Sequence, residues 1–276
     1  MADHRANTTL VKSMSRVEIS RGFLQVLQAG SGRPLVFVHG FPLDHQMWKG
    51  QIQDLAEYFH VLAPDLRGFG ASSDVANLVT MAEFADDLAE MLDALGIHEP
   101  IALCGLSMGG YIALEFWRRH RQRLTHLTFC DTRAAADSPE AAETRLQTAE
   151  RVLREGSQVV ADAMLPRLFA AHSLRQRANV VTATEQIMRA ARPASVAAAL
   201  RGMAQRADAT AWLPEIDLPT LVVCGQEDVI SSPPEMERMA AAMPQAEYVS
   251  IPACGHMAPL EDSVHVNKAL RAFLGA

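Results

Sequence analysis

Gly105-Leu106-Ser107-Met108-Gly109 holds a serine hydroxyl between two glycines, at a spacing that lets a strand and a helix approach closely. An apolar run, Ile101-Ala102-Leu103-Cys104, precedes it, and a helix-forming run, Tyr111 to Trp117, follows. A serine on such a turn stands at the carboxyl edge of a sheet, over a helix N-terminus that favours negative charge. Its hydroxyl becomes a useful nucleophile when a base takes its proton and a carboxylate orients that base. Among the ten histidines, His256 fits the base: Ala253-Cys254-Gly255-His256-Met257 joins the last strand to the last helix, on the same edge as Ser107. Gly225-Gln226-Glu227-Asp228 follows the apolar strand Leu221–Cys224, which makes Asp228 the candidate carboxylate and leaves Glu227 to solvent. Asp131 is the rival, since it also follows a strand, although tying down the loop beyond that strand suits it better. Attack on a carbonyl creates an oxyanion that needs preorganised N–H donors. The backbone N–H of Met108 is one, and that of Phe41, in the loop His39-Gly40-Phe41-Pro42, is the other; Pro42 has no N–H to offer. His39 is expected to brace that loop, and His4, His60, His98, His120, His126, His172 and His265 need no functional role.

These groups require elements to carry them. Residues 15–30 read as one alternating strand, closed by the turn Ala29-Gly30-Ser31-Gly32. Leu35–Val38 reads as a strand buried on both faces, followed by a helix from His45 to Tyr58 and a strand at Val61–Ala63. Thr80-Met81-Ala82-Glu83 is a capping box that opens a helix to Leu95. The strand Ile101–Cys104, a helix from Ser107 to Arg119 and the strand Leu124–Phe129 follow. From Ala134 to Trp212 the pattern is helical only, in four pieces punctuated by Pro139, Gly156, Pro166, Pro193 and Pro214. Alternation resumes with the strand Leu221–Cys224, a helix over Pro234–Met243, the strand Ala246–Ile251 and a helix over Asp262–Leu274. The expectation is an α/β protein with a mostly parallel, doubly wound sheet. Residues 1–133 and 213–276 form its core, and 134–212 form an inserted helical cap.

Bulk properties narrow the function classes. A chain of 276 residues with 49% hydrophobic and 21% charged residues can bury a large single core. A formal net charge of −7 argues against a nucleic-acid partner. The basic cluster Arg118, Arg119, Arg121 and Arg123 reads as solvated cations at a helix C-terminus. Four cysteines without a C-x-x-C spacing read as buried thiols, so neither a disulfide nor a metal is expected. Met1-Ala2-Asp3-His4-Arg5 leads into no apolar leader, and no run approaches a membrane span, so the cytoplasm is the default location.

His39-Gly40-Phe41-Pro42, Pro64-Asp65-Leu66-Arg67-Gly68-Phe69-Gly70, Gly105–Gly110, Gly225–Asp228 and Gly255-His256 together resemble the α/β-hydrolase superfamily, over nearly the whole chain outside the cap. The order Ser107, Asp228, His256 is the order of that superfamily. Phe41-Pro42-Leu43-Asp44 with Trp48, and Gly105–Gly110, resemble its enol-lactonase and cofactor-free haloperoxidase-like esterase branch. Ser107 separates the chain from haloalkane dehalogenases and epoxide hydrolases, which place Asp there. The resemblance implies an α/β-hydrolase fold and a serine hydrolase for a small, rather apolar ester or lactone. It implies no cofactor, and perhydrolysis as a side activity. C–C bond hydrolysis and thioester hydrolysis use the same machinery, and some relatives keep the triad as ligand sensors that signal through the cap. Trp48, Met164, Leu168, Phe169, Met188 and Met203 either line the substrate pocket or pack the cap on the body.

Overall fold

The structure, a computed structural model, describes residues 12–276, so the N-terminal reading and His4 lie outside the described residues. Eight strands form one sheet: β1 (Lys12–Ile19), β2 (Gly22–Ala29), β3 (Pro34–Val38), β4 (His60–Pro64), β5 (Ile101–Leu106), β6 (Leu124–Cys130), β7 (Thr220–Gly225) and β8 (Ala246–Ile251). Their order is β1-β2-β4-β3-β5-β6-β7-β8. The β1–β2 and β2–β4 pairings are antiparallel, and every pairing from β4 to β8 is parallel. The single strand expected over 15–30 is in fact the β1–β2 hairpin, with Ile19 paired to Gly22. Its two turn residues, Ser20 and Arg21, lack the Asn-Gly or Asp-Gly signal that marks a tight hairpin, so the break is silent in the sequence.

Every residue of β3, β5 and β7 is buried. Successive strand side chains point to opposite faces, so helices must cover both sides of the sheet there. The body helices are α1 (Lys49–Leu55), α2 (Met81–Ala94) and α3 (Met108–His120), and the first is preceded by a 3-10 turn at His45–Trp48. Thr80 Oγ1 accepts the Glu83 N–H at 3.1 Å while Glu83 returns a bond to the Thr80 N–H at 2.7 Å, the capping box read from the sequence. Helix α2 packs on α3. Arg119 forks onto Asp86 of α2 and Arg123 reaches Asp93, so part of the basic cluster is paired rather than solvated.

Between β6 and β7 run five α-helices, α4 (Pro139–Glu155), α5 (Gln158–Leu168), α6 (Ala171–Gln176), α7 (Ala178–Ala190) and α8 (Pro193–Ala204), then a 3-10 turn at Thr210–Glu215. The sequence pattern predicts four pieces. The extra break falls at Arg177, where φ is −120° and neither Gly nor Pro marks it, while Pro166 sits inside α5 without ending it. Helix α4 lies against α8, and α5 against α7. The body closes with α9 (Pro233–Ala241), a short α10 (Ala258–Glu261) and α11 (Ser263–Leu274), which packs on α1. Cys104, Cys130, Cys224 and Cys254 are all buried free thiols. Among the described residues, no helix is long and apolar enough to cross a membrane.

Candidate active site

Parallel strands put their carboxyl ends on one edge, so the segments after β3, β5, β6, β7 and β8 gather there. Ser107 follows β5 directly, with φ 54° and ψ −112°, a conformation strained for a residue with a side chain. A Cβ on Gly105 would strike the Gly109 carbonyl, and one on Gly109 would strike the Val38 carbonyl, which is why the motif needs glycine at both places. The turn is fastened by Ser107 N–H donating to Cys130 O at 3.0 Å and by Thr132 Oγ1 donating to Ser107 O at 2.7 Å.

After β7, Asp228 is 3% exposed and both its carboxylate oxygens are engaged. Oδ1 accepts the Ile230 and Ser231 amides at 2.7 and 3.0 Å, and Oδ2 accepts from His256 Nδ1 at 2.8 Å. His256 is itself buried, so the imidazole is held in one orientation with its Nδ1 proton on Asp228 and Nε2 left free to act as a base. The structure brings Asp228 and His256 into contact. It does not draw a hydrogen bond between the Ser107 hydroxyl and His256, a contact that in unliganded sites often tightens only with substrate. Among the described residues, the backbone N–H groups of Phe41 and Met108 donate to nothing. For Met108 this is the ordinary state of a first-turn amide; for Phe41 it is an unspent donor in a loop.

His39 is fully buried, its Nδ1 donating to Gly40 O at 2.9 Å and its Nε2 accepting the Leu66 N–H at 3.0 Å. Burial lowers its pKa, and this neutral ring ties the loop after β3 to the loop after β4. Asp131 departs from expectation. Its Oδ1 accepts the Gly225 N–H at 2.8 Å, so it fastens the end of β7 rather than the loop leaving β6. One of its oxygens, one of Asp228 and Cys224 Sγ lie within 4.8 Å of one another, and burial, then the neighbouring Asp228 charge, pushes the Asp131 carboxyl well above its ordinary value. Asp44, His45 and Asp65 also cluster within 4.8 Å, but their oxygens already accept from Gln46, the His45 amide and ring, and the Ala71 amide.

Two partners were not read from the sequence. Glu261 on α10, 1% exposed, accepts the Gly255 N–H at 2.7 Å and the Ala170 N–H at 2.9 Å, and burial raises its pKa. Thr132 pins the serine turn. Neither belongs to a motif: Thr132 acts on Ser107 and Glu261 on Ala170, partners 25 and 91 residues away, so no local pattern marks them.

A cavity of about 460 Å³ opens beside Phe41, walled by Tyr111 of α3, Arg133, Arg145, Arg167 and Met164 among others. A second, of about 430 Å³, is bordered by Phe169 and Asp228. Met164 and Phe169 therefore do face open space. Trp48 and Met188, expected as possible lining, have no accessible surface at all; Trp48 packs on Phe37 with ring centroids 4.8 Å apart. Met203 is 2% exposed and lies behind Arg145, which reaches its sulfur at 3.6 Å.

The alpha/beta hydrolase fold family matches residues 33–263. A thermophilic esterase from Thermogutta terrifontis, solved with malate bound, superposes with a TM-score of 0.91 at 45% identity, covering 96% of this chain and 98% of that one. A pimeloyl-[acyl-carrier protein] methyl ester esterase from Nitrosomonas europaea is 28% identical over 84% of this chain and 92% of its own length. The 3-oxoadipate enol-lactonase 1 of Acinetobacter baylyi is 28% identical over 82% of this chain and 83% of its own.

Proposed function

The chain belongs to the alpha/beta hydrolase family, and from that premise we propose that it is a carboxylic ester hydrolase that cleaves small esters or lactones through an acyl-enzyme on Ser107. The observation that carries this reading is the buried Asp228–His256 pair, 2.8 Å between Oδ2 and Nδ1, on the edge where Ser107 stands at φ 54°. In the acylation step His256 Nε2 takes the Ser107 proton as Oγ attacks the carbonyl carbon. The Phe41 and Met108 amides receive the oxyanion. His256 returns the proton to the departing alcohol, which leaves the acyl group on Ser107. Water then attacks that ester with its proton going to Nε2, and collapse releases the acid and restores Ser107. Asp228, hydrogen-bonded to Nδ1, stabilises the imidazolium. Hydrogen peroxide in place of water would yield a peracid by the same step. Residues 134–212 form the cap over this edge in our reading, and no metal or organic cofactor takes part.

The test is hydrolysis of p-nitrophenyl esters of graded acyl length and of several lactones. Ser107→Ala and His256→Ala should each lose roughly 10⁴-fold or more in kcat. Retained activity in either variant refutes the assignment. Very slow turnover accompanied by ligand-induced stabilisation would instead mark a sensor.

A further inference from the structure

The cavity beside Phe41 has an apolar lining interrupted by charge. Arg133, Arg145 and Arg167 line it, and Asp137 is its one acidic lining residue. That carboxylate is already shared: Arg145 holds it at 2.5 Å, and Arg206, stacked 4.3 Å over the Tyr111 ring, holds it at 2.8 Å. Arg133 lies 3.4 Å from Glu235, and its Nη2 donates to the Ile230 carbonyl, yet its Nε is buried and has no partner. Arg167 pairs with no carboxylate among the described residues. Four guanidinium groups therefore face two carboxylates, in a protein whose formal net charge is −7. A concave surface with a local surplus of positive charge concentrates anions. Arg133 is also placed close to the reacting end of the site. It follows Thr132, whose hydroxyl bonds the Ser107 carbonyl, and Phe41 borders the same cavity.

Resting on the serine-hydrolase reading above, we propose that the substrate carries a free carboxylate, drawn in by Arg133 and Arg167: a half-ester of a short dicarboxylic acid. Asp137 and Arg206 hold Arg145 in place as the cavity wall. Arg167, exposed on the cavity lining, supplies the unpaired charge, and the Arg133 guanidinium on the same lining adds to the positive field.

The experiment compares monoethyl glutarate with the neutral ethyl ester in which an isopropyl group replaces the carboxylate, both followed by acid release in a pH-stat. For the unaltered protein, kcat/KM should favour the anionic ester by about tenfold, mainly through KM. Arg133→Met and Arg167→Met should bring that ratio toward one, and added salt should lower it. Arg167 is exposed, so its variant tests the idea even where Arg133→Met fails to fold. Calorimetry with glutarate alone provides a readout without turnover, and binding should weaken about tenfold in Arg167→Met. A ratio near one, or one that neither variant moves, overturns the carboxylate site, while Ser107-dependent cleavage of the neutral ester leaves the hydrolase reading standing. If neither ester is cleaved the hydrolase reading falls, and glutarate binding or its absence decides the arginine site independently.

Discussion

Replacing Asp131 with Asn probes the electrostatics around the candidate triad. Asp131 is fully buried, accepts one amide at Oδ1, and has a buried Oδ2 with no partner. Its nearest acidic neighbour, Asp228, holds three donors. Two carboxylates ionised within 4.8 Å would repel by about 3 kcal/mol even at an effective dielectric of about 20. Asp131, buried with a single donor and facing the Asp228 carboxylate, is the one whose pKa is pushed well up, so it keeps its proton. A carboxyl whose folded pKa is raised contributes nothing below its unfolded value, where both states are protonated. Above that value the unfolded chain releases a proton that the folded one retains. Stability then falls by about 1.4 kcal/mol per pH unit until the folded group itself ionises. Asn preserves the bond from Gly225 and places an NH₂ where the acid O–H stood, but never ionises. Urea unfolding at unchanged slope should show Asp131→Asn within about 0.5 kcal/mol of the parent near pH 4, and more stable than the parent by about 1.4 kcal/mol or more near pH 8. A variant that becomes less stable than the parent as pH rises would mean that Asp131 is an ionised, stabilising carboxylate, and the argument would fail.

Asp228→Asn should keep the two loop amides at its oxygen but lose the charge that holds the His256 Nδ1 proton; steady-state kinetics should show kcat reduced roughly 10⁴-fold. Glu261→Gln can satisfy only one of the Gly255 and Ala170 amides, so urea unfolding should report a loss of about 1–3 kcal/mol, with a lower kcat as the His256 loop loosens. Gly105→Ala forces a Cβ into the Gly109 carbonyl; circular dichroism and soluble yield should report a loss of at least about 1–3 kcal/mol. A Gly105→Ala protein of parental stability would show that the serine turn is less tightly packed than these contacts imply.

What the sequence made legible follows from range. Thr80 with Glu83, the glycines around Ser107, and the apolar runs of β3, β5 and β7 act within a few residues, so their patterns survive without a fold. Strand-and-helix alternation then assigns Ser107, Asp228 and His256 to one edge through topology alone. Side-chain burial is different. Trp48 and Met164 are both large apolar residues near the site, yet one is sealed against Phe37 and the other borders a cavity, a distinction made by packing rather than composition. Charge behaves in the same way. Arg133, Arg145, Arg167 and Arg206 are scattered through a net-acidic chain, and their convergence around Asp137 and Tyr111 exists only once α4, α5 and the segment after α8 are folded together.

The loop carrying His256 joins these scales. On the body side, Asp228 holds the imidazole, and Glu261 holds the Gly255 amide next to it. On the other side, the Met257 N–H donates to Leu168 O at 3.1 Å, and the same Glu261 carboxylate holds the Ala170 amide. Three contacts thus tie the His256 loop to the end of α5, one direct and two through a single buried glutamate. The helices between β6 and β7 are therefore part of what holds the His256 loop in place. A substitution at Phe169, which lies between the two fastened backbone positions Leu168 and Ala170, would reach His256 through hydrogen bonds as well as through the cavity that it borders. Its effect on activity cannot be assigned to substrate contact alone unless the pH dependence attributable to His256 is measured alongside KM.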